Sequence, residues 1–245
     1  MTGSAAFRRL VTEARASADD DLAHVGPVLR AARELPDGVR LLHLRAAQPS
    51  IAFSRRDTHR EGFDAAASVA AELGYPPLVR HVGGAFAPLS EGSLVLDQFG
   101  TSPDAGTTSR ARFGEHSTAL RAALRGLGLD ARVGELAGEY CPGEFSINVA
   151  GRVKVAGVAQ RVSGRAWVVS TVLQVHAVHP LRAVTQRCAG ALGEHVDVAT
   201  MGDLASEGVD VPLPDVARLV ADAFVRAGLV GAGDVLDESA VVAPE

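Results

Sequence analysis

Lysine is almost absent from this chain: of its 24 basic side chains only Lys154 is a lysine, and the rest are arginine. A chain that writes arginine wherever a surface cation suffices makes its one lysine a candidate for a contact that needs a compact ammonium. Aromatics are also scarce, at 4%, so the core must be built from Leu, Val, Ile and Ala. Two distant cysteines, Cys141 and Cys188, exclude a disulfide framework and a zinc knuckle. No basic block stands out and the net charge is −5, which argues against nucleic acid as a main partner. The longest apolar stretch, residues 166–178, is broken by Ser170, Thr171, Gln174 and His176, too short and too polar to span a bilayer. Residues 1–21 lack the apolar core of a secretion signal. The expectation is a soluble, cytoplasmic protein with no membrane partner.

Familiar ligand loops are missing too. There is no Gly-x4-Gly-Lys-Ser/Thr, and Gly231-Ala232-Gly233 does not follow a strand in a βαβ unit, so neither a P-loop nor a Rossmann site is supported. No His-Glu-x-x-His occurs. His176 and His179, read as part of a strand, would lie on opposite faces, so no metal site is expected.

What is present is length for a proper core: 245 residues, 47% apolar. Helical spacing predicts helices up to about residue 34 and over 61–73, 110–127, 181–192 and from Val216 to Ala227. Strand patterns cover residues 39–46, 51–54, 78–82, 93–99, 145–149, 153–156, 158–162 and 166–175, with turns at Ala150-Gly151 and Ser163-Gly164. The tail from about Asp237 is expected to be disordered. Helices interleaved with consecutive hairpins give an α/β (α+β) class with a mixed β-sheet flanked by helices. The expected division is a helical lead-in at 1–38, a main domain at 39–192, and a C-terminal extension of that domain at 193–245.

Two segments could carry chemistry. In Arg80-His81-Val82-Gly83-Gly84-Ala85, the glycines allow close backbone approach and Arg80 supplies a counter-charge; an ordinary hairpin turn reads equally from the residues alone. The second runs Tyr140-Cys141-Pro142-Gly143, then Gly151-Arg152-Val153-Lys154-Val155-Ala156-Gly157-Val158-Ala159-Gln160-Arg161. Gly157 and Ala159 share a nearly bare strand face, which suits a narrow slot. Lys154 has the opposite parity and reaches that slot only if Gly157 marks a bulge or bend. A glycine-softened edge hairpin with a solvated lysine is the alternative.

Together these segments resemble the catalytic domain shared by lipoate-protein ligases, octanoyltransferases and, more distantly, biotin-protein ligases. Arg80-His81-Val82-Gly83-Gly84 is similar to the family's Arg-Arg-x-x-Gly-Gly loop, with His81 replacing the second arginine. The Gly151–Arg161 segment is similar to its Gly-x-Lys-x-x-Gly-x-Ala-Gln strand pair. Leu89-Ser90 stands where the family often has His-Asp. The resemblance implies a biotin/lipoate ligase-like, class II synthetase-like fold over residues 39–192. It further implies an acyltransferase of protein lipoylation in which Cys141 carries an octanoyl or lipoyl group as a thioester and Lys154 activates the thiol and holds the acyl carbonyl. Arg80, His81, Gly83, Gly84, Gly157, Ala159 and Gln160 would bind the substrate.

No cofactor or metal is then required beyond the acyl group. Partners would be lipoyl domains, a glycine-cleavage carrier protein or acyl carrier protein, their acidic hairpins met by Arg55, Arg56, Arg80 and Arg161. Cys188 is a rival nucleophile, although a buried small hydrophobe on a helix is the favoured reading there. Two alternatives stand beside this one: an ATP- and magnesium-dependent lipoate-protein ligase acting through a lipoyl-adenylate, and a family member that binds the acyl group without turning it over.

Overall fold

A computed structural model describes residues 7–11 and 17–231. Its chain order is β1 (Phe7–Val11), α1 (Ala18–Ala23), α2 (Val25–Ala32), β2 (Arg40–Ala46), β3 (Ser50–Phe53), α3 (Phe63–Glu72), β4 (Pro77–Val79), β5 (Ala87–Leu89), β6 (Ser93–Thr101) and α4 (Ser109–Gly126). Then follow β7 (Ala131–Val133), β8 (Ile147–Val149), β9 (Val153–Ser163), β10 (Ala166–Gln174), α5 (Val178–Ala191) and α6 (Leu213–Arg226).

Seven strands form one sheet in the order β1-β2-β6-β10-β9-β8-β7, and three form a second, β4-β3-β5. Only the pairs β1–β2 and β3–β4 are parallel, so both sheets are mixed. The central strands β6 and β10 are covered on both faces, which is why they read as nearly unbroken apolar runs. On one face α4 and α6 press Leu120, Leu124, Val220 and Phe224 onto Leu42, Leu96 and Leu173. On the other, Val25, Val28 and Leu29 of α2 meet Leu41, Phe99 and Val168, while the small sheet adds Ala52, Ala87 and Leu89 against Val95 and Val172. Outside the small sheet, α3 and α5 pack Ala66, Ala70, Leu181, Val184 and Cys188 onto Ile51 and Phe53.

The helix α6 shows how pattern becomes packing. Val216, Val220, Ala223 and Phe224 recur every three or four residues and are all buried, and fully burying a side chain such as Phe224 contributes about 2–3 kcal/mol. Pro214 sits in its first turn, where a missing N–H costs nothing.

Several expectations need correction. Residues 7–11 form a parallel edge strand on β2 rather than helix, a long-range pairing that local periodicity does not report. The strand at 78–82 is confined to Pro77–Val79, because Arg80 onward leaves it as a loop. The two runs at 153–156 and 158–162 are one strand passing through Gly157. His176 follows the end of β10 and His179 lies in the first turn of α5, so they do not share a strand; His176 instead bonds the Val211 carbonyl at 2.9 Å. The tail from Asp237 lies outside the described residues. No helix among the described residues is long and apolar enough to cross a membrane.

His116 of α4 is wholly buried, its ring edge-on to Phe224, with Nδ1 3.0 Å from Gln98 Oε1 and Nε2 2.7 Å from Thr171 Oγ1. Burial pushes its pKa down from 6.5 to about 3. Above pH 6.5 the imidazole is neutral whether folded or unfolded. Below it the unfolded chain takes up a proton that the folded chain refuses, so stability falls on acidification by about 1.4 kcal/mol per pH unit. Urea denaturation between pH 6.5 and 4.5 is expected to show this slope reduced by about one proton in His116→Gln. An unchanged slope would mean that His116 is not the group responsible.

Candidate active site

Cys141 lies in the loop joining β7 to β8, and a single carboxylate shapes that loop. Glu139 accepts hydrogen bonds from Leu136 N (2.9 Å), Gly143 N (3.2 Å) and Ser146 Oγ (2.8 Å), and pairs with Lys154 Nζ at 3.0 Å. Both members of the ion pair are fully buried. Lys154 donates in addition to the carbonyls of Tyr140 at 2.9 Å and Cys141 at 2.8 Å, so all its ammonium protons are used, and it lies over the Tyr140 ring. Cys141 itself has φ +43°, a left-handed conformation that costs a non-glycine residue about 1–3 kcal/mol and persists only where its surroundings hold it. The grip of Lys154 on two consecutive carbonyls is that hold.

Lys154 reaches the loop through a bulge. Ile147 pairs with Ala156 while Asn148 pairs with Lys154, so Val155 is an extra residue and the parity of β9 is reset. A methyl added to Gly157 would sit 3.4 Å from Lys154 Cε. The sequence placed the bulge at Gly157; it falls two residues earlier, at Val155, and still brings Lys154 round.

The thiol meets the other motif. Arg80, anchored by its N–H to Phe53 O at 2.8 Å, turns its guanidinium inward. Nη2 donates to Gly83 O at 2.8 Å and Ala85 O at 2.5 Å, and lies 3.8 Å from Cys141 Sγ. The Ala85 N–H donates to the same sulphur at 3.1 Å. Gly84 sits at φ +90°, a conformation that favours glycine, and an added methyl would lie 2.8 Å from Arg80 Nη2 and 3.0 Å from Cys141 Sγ. Arg80 Nε is buried with no partner among the described residues. Cys141 Sγ thus meets one main-chain donor and one cation.

The structure thus brings Arg80, Gly83, Gly84, Cys141, Lys154 and Gly157 together, with one rearrangement. From the sequence Lys154 faces the thiol; here Arg80 does, and Lys154 holds the backbone behind it. His81 joins the group, its carbonyl accepting from Arg161 Nη1 at 3.0 Å; burial first, then Arg161, Arg55 and Arg30, lower its pKa. Gln160 contributes its main chain, accepting from Gly83 N at 3.3 Å. Its side chain points to the opposite face of β9 from Ala159, bonded to Arg112 Nε and Ser109 O, because successive strand residues alternate. Arg55 and Arg56 are exposed, but Arg80 is buried and is removed from any docking surface. Cys188 is fully buried on α5, bonded to Ala66 O, and burial pushes its thiol up to about 11. That environment fits a packing role.

Beside Arg80 a small, partly open cleft of about 20 Å³, room for about one water, lies between the two sheets, walled by Val82, Leu89, Val95, Val172, Ser170 and Arg45 among others. Gly157 and Ala159 do not line it directly; their cross-strand partners Val172 and Ser170 do. A larger open groove between α4 and α6 is lined by Ala119, Ala223 and Leu229, but it lies on the far face of the sheet and shares no residue with the cysteine site. Glu139 and the Ala85 N–H are the parts that sequence reasoning missed; the only signal for Glu139 was an acid two residues before the cysteine.

No family model matches the chain. Over 114 residues it is 32% identical to an octanoyl-GcvH:protein N-octanoyltransferase of Geobacillus kaustophilus, a stretch covering 46% of this chain and 39% of that protein. A protein of the same name from Exiguobacterium sibiricum is 34% identical over 98 residues, 36% of this chain and 32% of the relative. The matches thus span well under half of these relatives. A protein of Thermoplasma acidophilum assigned as a lipoate protein ligase, solved with bound lipoic acid, superposes with a TM-score of 0.72 at 21% identity, covering 97% of this chain and 93% of that one.

Removing one member of a buried ion pair leaves the other uncompensated and costs about 3–5 kcal/mol, whereas replacing both by apolar residues is often neutral. Lys154→Met is expected to destabilise by that amount in chemical denaturation, and Lys154→Met with Glu139→Gln, which removes the stranded charge while keeping an acceptor for the loop's donors, to recover part of it. Alkylation of Cys141 by iodoacetamide, followed by peptide mass spectrometry, should stay slowed at least tenfold in the double variant. A Lys154→Met protein as stable as wild type would show that the pair does not hold the loop.

Proposed function

We propose, for a chain with the fold of the lipoate-protein ligases and a segment similar to octanoyltransferases, that it is an acyltransferase of protein lipoylation working through Cys141. The observation that carries this reading is the pair of donors on one sulphur, Ala85 N–H at 3.1 Å and Arg80 Nη2 at 3.8 Å.

The Cys141 sulphur attacks the acyl carbonyl of a donor carrier. The new C–S bond forms, the bond from the carbonyl to the donor's sulphur or lysine nitrogen breaks, and that leaving atom takes a proton. Arg80, with Nε uncommitted, is placed to steady the oxyanion that develops on the carbonyl. A lysine amine of the acceptor domain then attacks the thioester; the C–N bond forms, the C–S bond breaks, and the thiol is restored. Lys154 keeps Cys141 in its left-handed conformation throughout and is a positioning residue in this scheme. Acidic carrier or lipoyl domains are the proposed partners, met by the exposed Arg55 and Arg56.

Intact-protein mass spectrometry after incubation with octanoyl-loaded carrier protein tests this. Wild type and Cys188→Ser are expected to gain an octanoyl adduct that hydroxylamine removes, and Cys141→Ser to gain none. If no protein is labelled yet ATP and lipoate together modify a lipoyl domain, the ligase reading replaces this one. Silence under both conditions would leave a binding role. Gly84→Ala should cut the labelling rate at least tenfold without unfolding the protein, because its methyl forces Arg80 Nη2 and the Cys141 sulphur apart.

A further inference from the structure

The cleft beside Arg80 holds about 20 Å³, and polar side chains stand among its aliphatic walls: Arg80, His81, Arg45 and Ser170. Two buried polar atoms around it have no partner among the described residues, Arg80 Nε and Asp97 Oδ1. Arg80 lines the cleft directly. Asp97 lies two residues along β6 from the wall residue Val95, so the two side chains point to the same face of the large sheet. Its cross-strand neighbour on β10 is Ser170, and its Oδ2 holds Arg45 Nη1 at 2.5 Å; both of these residues line the cleft. An orphaned donor from the loop after β4 and an orphaned acceptor from β6 thus flank one small space. About 10–15 Å³ is enough for a single water, and a buried water is stable where polar groups converge on it.

Asp97 is a strong acceptor. It is fully buried, and burial alone would raise its pKa, but Arg45 and then His24, whose Nε2 lies 3.4 Å from Oδ2, hold it below the ordinary carboxylate range. His24 in turn lies 3.1 Å from His43 Nδ1. The negative charge is therefore fixed by groups from β2 and from the start of α2. The guanidinium of Arg80 needs such an anchor. Its Nη2 gives both protons to carbonyls of its own loop, Gly83 O and Ala85 O. Two bonds from one nitrogen fix that nitrogen but not the tilt of the guanidinium plane, and the tilt sets how the cation faces Cys141 Sγ, 3.8 Å away.

We propose that one buried water occupies the cleft, accepting from Arg80 Nε and donating to Asp97 Oδ1 with the Ser170 hydroxyl beside it, and that Asp97 is thereby a positioning residue for the cation that faces the Cys141 thiol. A charge on the large sheet then orients a charge on the glycine loop across the seam between the sheets. In the proposed reaction the oxyanion is met by the Ala85 N–H and the charge of that guanidinium, held at one tilt. Only the role of Cys141 as the reacting group is taken from the acyltransferase reading; the water site stands on the cleft and its two orphaned atoms.

Alkylation of Cys141 by iodoacetamide, followed across pH by peptide mass spectrometry, reads the ionisation of the thiol and needs no acyl donor. The other titratable groups near the sulphur and Arg80 are His81, Tyr140 and the Lys154–Glu139 pair, and every variant keeps them. Ser170→Ala removes the hydroxyl and leaves the space, whereas Ser170→Val fills the space and leaves Asp97, Arg45 and Arg80 in place. Asp97→Asn keeps the shape and removes the charge; because it also strands Arg45, it is read beside Ser170→Val, which spares the ion pair.

In Ser170→Val and in Asp97→Asn the alkylation midpoint is expected to rise by at least half a pH unit, and the rate at pH 7 to fall at least threefold. Ser170→Ala is expected to stay within a factor of two of wild type. A wild-type crystal structure should show one water within about 3.2 Å of both Arg80 Nε and Asp97 Oδ1, and that of Ser170→Val none. A wild-type map with no such water, or a Ser170→Val profile superimposable on wild type, would overturn the proposal. An equal change in Ser170→Ala would overturn it too, by assigning the effect to the hydroxyl. Profiles that move as expected while octanoyl labelling of Cys141 is absent would uphold the water site and sink the acyltransferase reading. Intact labelling with unmoved profiles would do the reverse.

Discussion

The site depends on one buried ammonium. Lys154 Nζ touches a carboxylate and two consecutive carbonyls, and each contact settles a different matter. The carboxylate of Glu139 ties down the loop through its own bonds to two backbone N–H groups and a hydroxyl. The carbonyls fix the backbone on either side of the Cα that carries the thiol. An isolated ammonium could not be buried here, because desolvation would cost several kcal/mol; the pair with Glu139 is what allows it. A guanidinium, planar and forked, would not fit beneath two successive carbonyls while meeting a carboxylate at the same atom. That is a physical reason for a lysine at a position where this chain otherwise uses arginine.

The sulphur is held between two elements remote in sequence. The loop after β4 supplies Arg80 and the Ala85 N–H, and the loop before β8 supplies Cys141. What joins them is the unpaired half of the β9 edge. β8 pairs with β9 only as far as Ala156, and beyond it Gly83 N bonds Gln160 O while Arg161 bonds His81 O. The glycine loop thus takes the place of a missing strand, and a side chain at Gly84 would press on Arg80 and Cys141 in the narrow gap that results.

The long strands and amphipathic helices were legible because their periodicity reports burial directly. β2, β6, β10, α3, α4 and α6 all follow from apolar spacing. Three-residue strands such as β5, with Pro88 at its centre, and β7 show no such pattern and exist only through their partners. The parallel pairing of β1 is invisible for the same reason. At the site, Cys141, Lys154 and Arg80 stood out by residue type and motif, and the bulge at Val155 was foreseeable from the parity of Lys154 against Gly157. Which cation would face the thiol was not, since that depends on a turn conformation at Cys141. Glu139 escaped notice because an acid in a loop ordinarily looks like solvated surface, and the Ala85 N–H because main-chain donors carry no sequence label.

The burial of Lys154 also bears on what the protein can do to itself. A thioester is an indiscriminate electrophile toward amines, and an enzyme that carried exposed lysines near one would tend to acylate its own surface. Here the one lysine side chain is sealed at 0% exposure with every proton engaged. The arginines that cover the exterior stay protonated at any cellular pH and are poor nucleophiles. The described surface therefore presents positive charge without presenting a single side-chain amine, so that in the proposed reaction an acceptor's lysine would meet no competitor on this protein.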